Sequence, residues 1–233
     1  MMTAERREPS ESVKKWVYRI LRHAIMTGRF QPGHPVTING LSETLGVSAM
    51  PVREALHRLV ADGAIELLDN RRVRVPEIDP DKFDEILSAR TALETVAAER
   101  ALPHIDFVRL AHLQRLDGLV DEAYAQGDIE RGIEANFAFH RALYEVRSAA
   151  VLLPLIESLW LRLGPFMRRA TENLHESYLV DRHAEALEAI RAKNVVALKA
   201  AIAADIQDGA GHLGRAQFLH VAAESFTKTG AAC

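Results

Sequence analysis

Apolar residues recur at intervals of three and four along most of the chain, and only two short stretches, at 36–38 and near residue 70, read as β-prone. Val13, Trp16, Val17, Ile20, Leu21, Ala24 and Ile25 mark one face of a first helix, with Ser10 or Ser12 placed to cap it and Gly28 to end it. Pro32, Gly33 and Pro35 interrupt, and a β-prone piece follows at 36–38. Leu41, Leu45 and Val47 belong to a short second helix, and Gly46 supplies the positive φ that a helix stop commonly needs. A third helix starts within 48–51, because Ser48 is a good N-cap and a first-turn proline has no paired N–H to lose. Its buried face is Val52, Ala55, Leu56, Leu59 and Val60, while Met50, Arg53 and His57 fall on another face. Glu54 is expected to pair with Arg58 at i+4. Segments 65–68 and 72–75 read as strands around Asp69-Asn70-Arg71, a hairpin-turn composition.

From Asp79-Pro80, a cap followed by proline at the first helical position, the chain reads as helix after helix. The expected spans are 80–102, 105–126, 129–147, 149–174, 177–193 and 195–222, and Gly164-Pro165 is expected to kink the fourth. The fold class is therefore mainly α. An N-terminal winged helix-turn-helix over 1–76 is followed by a C-terminal all-α helical bundle over 77–233. A short helix packed on a partner, with an exposed basic face and a hairpin wing beside it, is what entering a DNA major groove requires.

Charge follows the same division. The formal net charge is −3, but residues 1–78 carry +3 and the remainder −6. A basic head on an acidic body suits a DNA reader joined to something that does not touch DNA. The single cysteine, Cys233, allows no disulfide framework within one chain, which fits a reducing cytoplasm. The polar start MMTAERREPSES has no signal-peptide core, and no apolar run approaches membrane-spanning length, so no membrane partner is expected.

The run GRFQPG, then LSETLGVSAMPVREALHRLVADGAI, then the NRR hairpin tip, resembles the DNA-binding domain of the GntR family of bacterial transcription regulators. PVREAL at 51–56 and the following L-x-x-D-G are its most telling parts. The resemblance implies double-stranded operator DNA as a partner. It implies contacts from Ser48, Ala49, Met50, Arg53 and His57 of the recognition helix and from Asn70, Arg71 and Arg72 of the wing. The family often has Arg-Thr before the proline, where this chain has Ala49-Met50. That difference implies fewer polar base contacts and an apolar one to a thymine methyl.

Polar residues break the apolar faces of the helical body at a few places. Arg90 falls in register with Ile86, Leu93 and Ala97; Asn136 and His140 lie beside Ile133, Phe137 and Tyr144. His183 aligns with Val180, Leu187 and Ile190, and Asp205 with Leu198, Ile202 and Gly209. Inward polar groups cost free energy unless they find partners. Together Asn136, His140, His183 and Asp205 offer two imidazoles and two oxygens, a set that suits a divalent transition metal such as zinc or nickel. Taken singly, each has a plainer reading as a hydrogen-bonded core residue. This half of the chain resembles the FadR/VanR-type effector domain, FCD. That resemblance implies Asn136 and His140 as one pair of metal ligands and His183 as another. Asp205 stands where a third histidine is usual. It also implies that Arg90 helps hold the acidic group of a ligand, against the alternative of a salt bridge to Glu94 or to an acid on another helix.

The expected function is a ligand-responsive transcription regulator, not an enzyme. It would bind an operator as a homodimer and sense a small carboxylate, with or without a metal. Two alternatives stay open: a helical metal-dependent hydrolase or lyase carrying a winged helix, and a regulator whose helical body only dimerises.

Overall fold

The structure is a computed structural model, and it describes residues 6–68, 72–77, 79–146, 149–171 and 182–212. Two compact units divide the chain: residues 1–78 with 160–166, and residues 79–159 with 167–233.

In the first unit, α1 (Val13–Met26) is capped by Ser12, whose Oγ accepts from the Lys15 amide at 3.3 Å. The short strand β1 (Pro35–Val36) leads into α2 (Ile38–Leu45), where the Thr37 hydroxyl accepts from the Gly40 amide at 3.2 Å. Gly46, at φ +64°, ends α2 in the left-handed region and lets the chain turn at once into α3 (Ala49–Ala61). Trp16, Val17, Ile20 and Leu21 of α1 share one core with Leu41 and Leu45 of α2 and with Val52, Leu56 and Leu59 of α3. The strands β2 (Glu66–Leu67) and β3 (Val73–Arg74) complete an antiparallel sheet in the order β1-β3-β2, with Pro35 and Glu66 flanking Arg74. They are shorter than the sequence pattern predicts. The Ile65 amide is spent on the Leu59 carbonyl of α3 and the Val75 amide on the His34 carbonyl, so neither joins the hairpin ladder.

One expected pair is different. Glu54 does not pair with Arg58 but with Lys14 of α1, at 2.7 Å, while the Arg58 guanidinium lies 3.8 Å over the ring of Tyr18. Helix α1 packs against this side of α3 and offers both residues a partner that their own helix does not.

The second unit is all helical among its described residues. It comprises α4 (Pro80–Ala101), a 3-10 turn (Leu102–His104), α5 (Phe107–Ala125), α6 (Ile129–Tyr144), α7 (Leu152–Thr171, of which 160–166 belong to the first unit), α8 (Arg182–Arg191) and α9 (Val195–Ile206). Asp79, Asp106, Asp128 and Asn194 cap α4, α5, α6 and α9 through side-chain oxygens, so the aspartates also place negative charge at positive helix ends. Helix α7 runs on through Gly164-Pro165. Helix α9 ends at Ile206 in a π-helical turn (Gln207–His212), and the rest of the expected 195–222 span lies outside the described residues. Phe83, Leu87, Leu113, Phe139, Leu143, Ile190, Leu198 and Ile202 are buried in this unit.

Candidate functional site

The first candidate surface is the free face of α3. Ser48, Ala49, Met50, Arg53 and His57 are all exposed, and Met50 keeps 59% of its surface. Glu54 and Arg58 are spent on α1, whereas Arg53 and His57 make no hydrogen bond or ion pair among the described residues. Ser48 occupies the N-cap position, yet its hydroxyl makes no capping bond. The first-turn amides of a 13-residue helix are thus presented together with a cation, an imidazole and an apolar tip. Arg72 is exposed beside the hairpin, whereas Asn70 and Arg71 lie outside the described residues. Arg74 pairs with Glu66 across the β2–β3 ladder.

The second candidate site lies inside the helical unit, and here the four residues singled out by pattern converge. His140 Nε2 of α6 is 3.0 Å from Asp205 Oδ2 of α9 and 3.4 Å from His183 Nε2 of α8. Asp205 Oδ1 is 3.8 Å from His183 Nε2, and the Asn136 amide stands 3.5 Å from the same nitrogen. Both histidines are 1% exposed and Asp205 12%. One donor atom from each of His140, His183 and Asp205 fits within 4.8 Å of the others, the spacing of a metal-ion ligand set.

The far sides of the two rings are also engaged. His183 Nδ1 lies 2.9 Å from Asp117 Oδ1 of α5, and its ring stacks on Phe139 at 4.0 Å between centroids. A carboxylate can only accept, so Nδ1 carries the proton and Nε2 presents its lone pair to the cluster. His140 Nδ1 lies 3.1 Å from the Tyr144 hydroxyl, which donates to Glu94 Oε2 at 3.0 Å. Glu94 Oε1 takes the Arg90 Nε–H at 2.7 Å, and Glu94 is fully buried. Two inward imidazole nitrogens and a carboxylate at these distances repel unless a cation lies among them. The donor set therefore fits a divalent ion, and a proton is the lesser substitute. Burial alone would push the Asp205 carboxyl up. With a proton on His140 Nε2 in place of an ion, its hydrogen bond to Asp205 and the charges of His140, His183 and Arg90 outweigh burial and hold the group at about 2.

Asp117, Tyr144 and Glu94 were not among the site residues expected from sequence. The signal for each was present: Asp117 is four residues after buried Leu113, Tyr144 four after His140, and Glu94 four after Arg90. Arg90 is placed next to this cluster through Glu94, and its two Nη groups make no hydrogen bond among the described residues.

Residues 14–75 match the family model described as bacterial regulatory proteins, gntR family, and residues 85–208 match the FCD domain. The HTH-type transcriptional regulator McbR of Escherichia coli (strain K12) is 35% identical over 192 residues, which cover 82% of this chain and 83% of that relative. The solved structure of E. coli McbR/YncC superposes with a TM-score of 0.82 at 31% identity, covering 89% of this chain and 99% of that one. A GntR transcriptional regulator from Rhodococcus sp. RHA1 superposes with a TM-score of 0.70 at 28% identity, covering 87% and 98%. Among the described residues, no helix is long and apolar enough to cross a membrane.

Proposed function

The chain belongs to the GntR family of bacterial regulatory proteins, in its FadR/VanR-type branch with an FCD domain, and from that premise we propose that it is a cytoplasmic, metal-assisted sensor of a small carboxylate that controls its own grip on an operator. Its families and relatives are transcription regulators and not enzymes, which removes the hydrolase or lyase alternative. Arg53, His57, Met50 and the exposed start of α3 are the surface offered to base edges, with Ser48, Ala49 and the wing residues Asn70, Arg71 and Arg72 as their neighbours on DNA. A homodimer would set two such helices on the half-sites of a pseudo-palindromic operator.

The observation that carries the sensing half is the meeting of His140, His183 and Asp205 from three different helices at one buried point, with Asn136 beside them. A zinc- or nickel-type ion held there would supply a Lewis-acidic partner for a carboxylate oxygen. Arg90, with both Nη groups unspent among the described residues, would take the other oxygen. The ligand works only through differential affinity for the two states of the dimer, one matched to the operator and one not.

The test has two arms. Operator sequences are selected from a random-sequence duplex pool with the wild-type protein, and Arg53→Glu is then assayed on the winners. Loss of specific binding at moderate salt is expected, and retained binding counts against the recognition-helix assignment. A panel of small carboxylates is screened by thermal denaturation with and without Zn²⁺, since ligands of the native state raise its apparent stability. A panel that shifts nothing in either condition counts against carboxylate sensing.

A further inference from the structure

Tyr144 bridges the two halves of the sensing site, and the direction of its hydrogen bonds is fixed by Glu94. Glu94 accepts on both oxygens, from Arg90 Nε at 2.7 Å and from the Tyr144 hydroxyl at 3.0 Å. A phenol has one proton. With that proton committed to Glu94, the Tyr144 oxygen can only accept from His140 Nδ1, 3.1 Å away. The chain therefore runs one way: Arg90 donates to Glu94, Tyr144 donates to Glu94, and His140 donates to Tyr144. With its Nδ1 proton held toward Tyr144, His140 has Nε2, which faces Asp205 and His183, as the nitrogen that can take an ion.

We propose that Tyr144 and Glu94 are positioning residues that set the polarity of this chain and thereby make His140 a metal ligand, joining the guanidinium that faces an anion to the imidazole that faces the ion. This rests on the metal-assisted reading above. Glu94→Gln is nearly isosteric, but the amide it introduces has one acceptor oxygen and a two-proton donor nitrogen. That oxygen goes to the Arg90 cation and the NH₂ to the Tyr144 oxygen. The phenol proton must then turn to His140 Nδ1, and His140 carries its own proton on Nε2. There it donates to Asp205 at the present 3.0 Å contact and closes the site to metal. Removing the hydroxyl in Tyr144→Phe frees the same tautomer by a different route. All four residues are buried, with Arg90 the most exposed at 6%, so water has little access to substitute for a lost partner.

The test measures Zn²⁺ affinity by competition with a chromogenic chelator for the full-length wild type, Tyr144→Phe and Glu94→Gln, each first stripped of metal. Both variants are expected to bind Zn²⁺ about 10–100-fold more weakly, the usual effect of losing a partner behind a metal ligand. The thermal midpoint of each stripped protein is recorded alongside. A merely structural role would lower that midpoint and leave Zn²⁺ affinity of the folded protein unchanged. For proteins that stay folded, the ¹⁵N shifts of labelled His140 in the stripped state read Nδ1 directly, protonated in the wild type and an acceptor in Glu94→Gln. Unchanged Zn²⁺ affinity in both variants overturns the positioning role while leaving the metal reading intact. A wild type that binds no Zn²⁺ removes the metal reading itself, and the proposal with it.

Discussion

Asp117 of α5 and His183 of α8 meet at 2.9 Å across 66 positions of sequence, and the contact decides which nitrogen of the buried imidazole faces the cluster. Asp117→Asn keeps the size of the side chain but lets its NH₂ donate to Nδ1, which would move the ring proton to Nε2. Zn²⁺ affinity is expected to fall about 10–100-fold, as for other partners behind a ligating histidine. Chelator competition reads this directly. An unaltered affinity means that Phe139, stacked on the ring at 4.0 Å, holds His183 by packing alone.

Met50 is the large apolar side chain that α3 leaves most exposed, at 59%. On a helix that enters a major groove, such a tip discriminates through the C5-methyl of thymine, because a thioether has no donor and is at best a weak acceptor for a base edge. Arg53, one turn on, is a guanidinium suited to guanine. Selection with the wild type is expected to enrich a thymine close to a guanine in each half-site. Met50→Arg is expected to replace that thymine preference with guanine at a discrimination of about 1–3 kcal/mol per pair. Identical base preferences in the two selections place Met50 away from the base edges.

Much of this was legible in the sequence because the periodicity of a helix is local. The face of α1 from Trp16 to Ile25, the Gly46 turn and the Asp79 cap of α4 all follow from residues within a few positions of one another. From pattern alone Asn136, His140, His183 and Asp205 were readable only as polar residues on apolar faces, since pattern gives the face and not the neighbour; the resemblance to the FCD domain supplied the expectation that they meet. What pattern could not give was partner choice. Glu54 had Arg58 available on its own helix and took Lys14, and Arg58 took Tyr18, because α1 packs where no i+4 rule can see it. Arg90 shows the reverse: its local option, Glu94, is the one adopted, yet Glu94 also accepts from Tyr144, fifty residues on.

Close packing between α5 and α6 gives a stability test that does not involve the site's ligands. A Cβ on Gly132 would come within 2.3 Å of the Tyr124 ring, so the ring must move. Gly132→Ala is expected to cost about 1–3 kcal/mol, as overpacking commonly does. Gly118, within α5, has nothing within 4 Å of its would-be Cβ. Gly118→Ala is expected to stabilise by roughly 0.5–1 kcal/mol, because alanine loses less backbone entropy than glycine in a helix. Urea midpoints for the two variants should move in opposite directions. A common direction would mean that Tyr124 does not hold its ring where α6 approaches.

Metal content separates a sensing body from one that only dimerises. Protein purified without chelator is expected to hold about one divalent ion per chain, the single set that His140, His183 and Asp205 can form. Stripping it should lower the thermal midpoint, and restoring Zn²⁺ to about 100 times its dissociation constant should return about 2.7 kcal/mol of apparent stability. The variants should rank by what each ligand supplies. The double substitution His140→Ala, His183→Ala removes both nitrogens and should abolish the response. Asp205→Ala removes the only ligand carboxylate and should weaken binding strongly, leaving two neutral rings to hold a doubly charged ion. Asn136→Ala removes a neutral amide at 3.5 Å from His183 and should weaken it least. A wild type whose midpoint ignores both chelator and Zn²⁺ would leave these four residues as partners of one another, and the helical body as a dimerising unit alone.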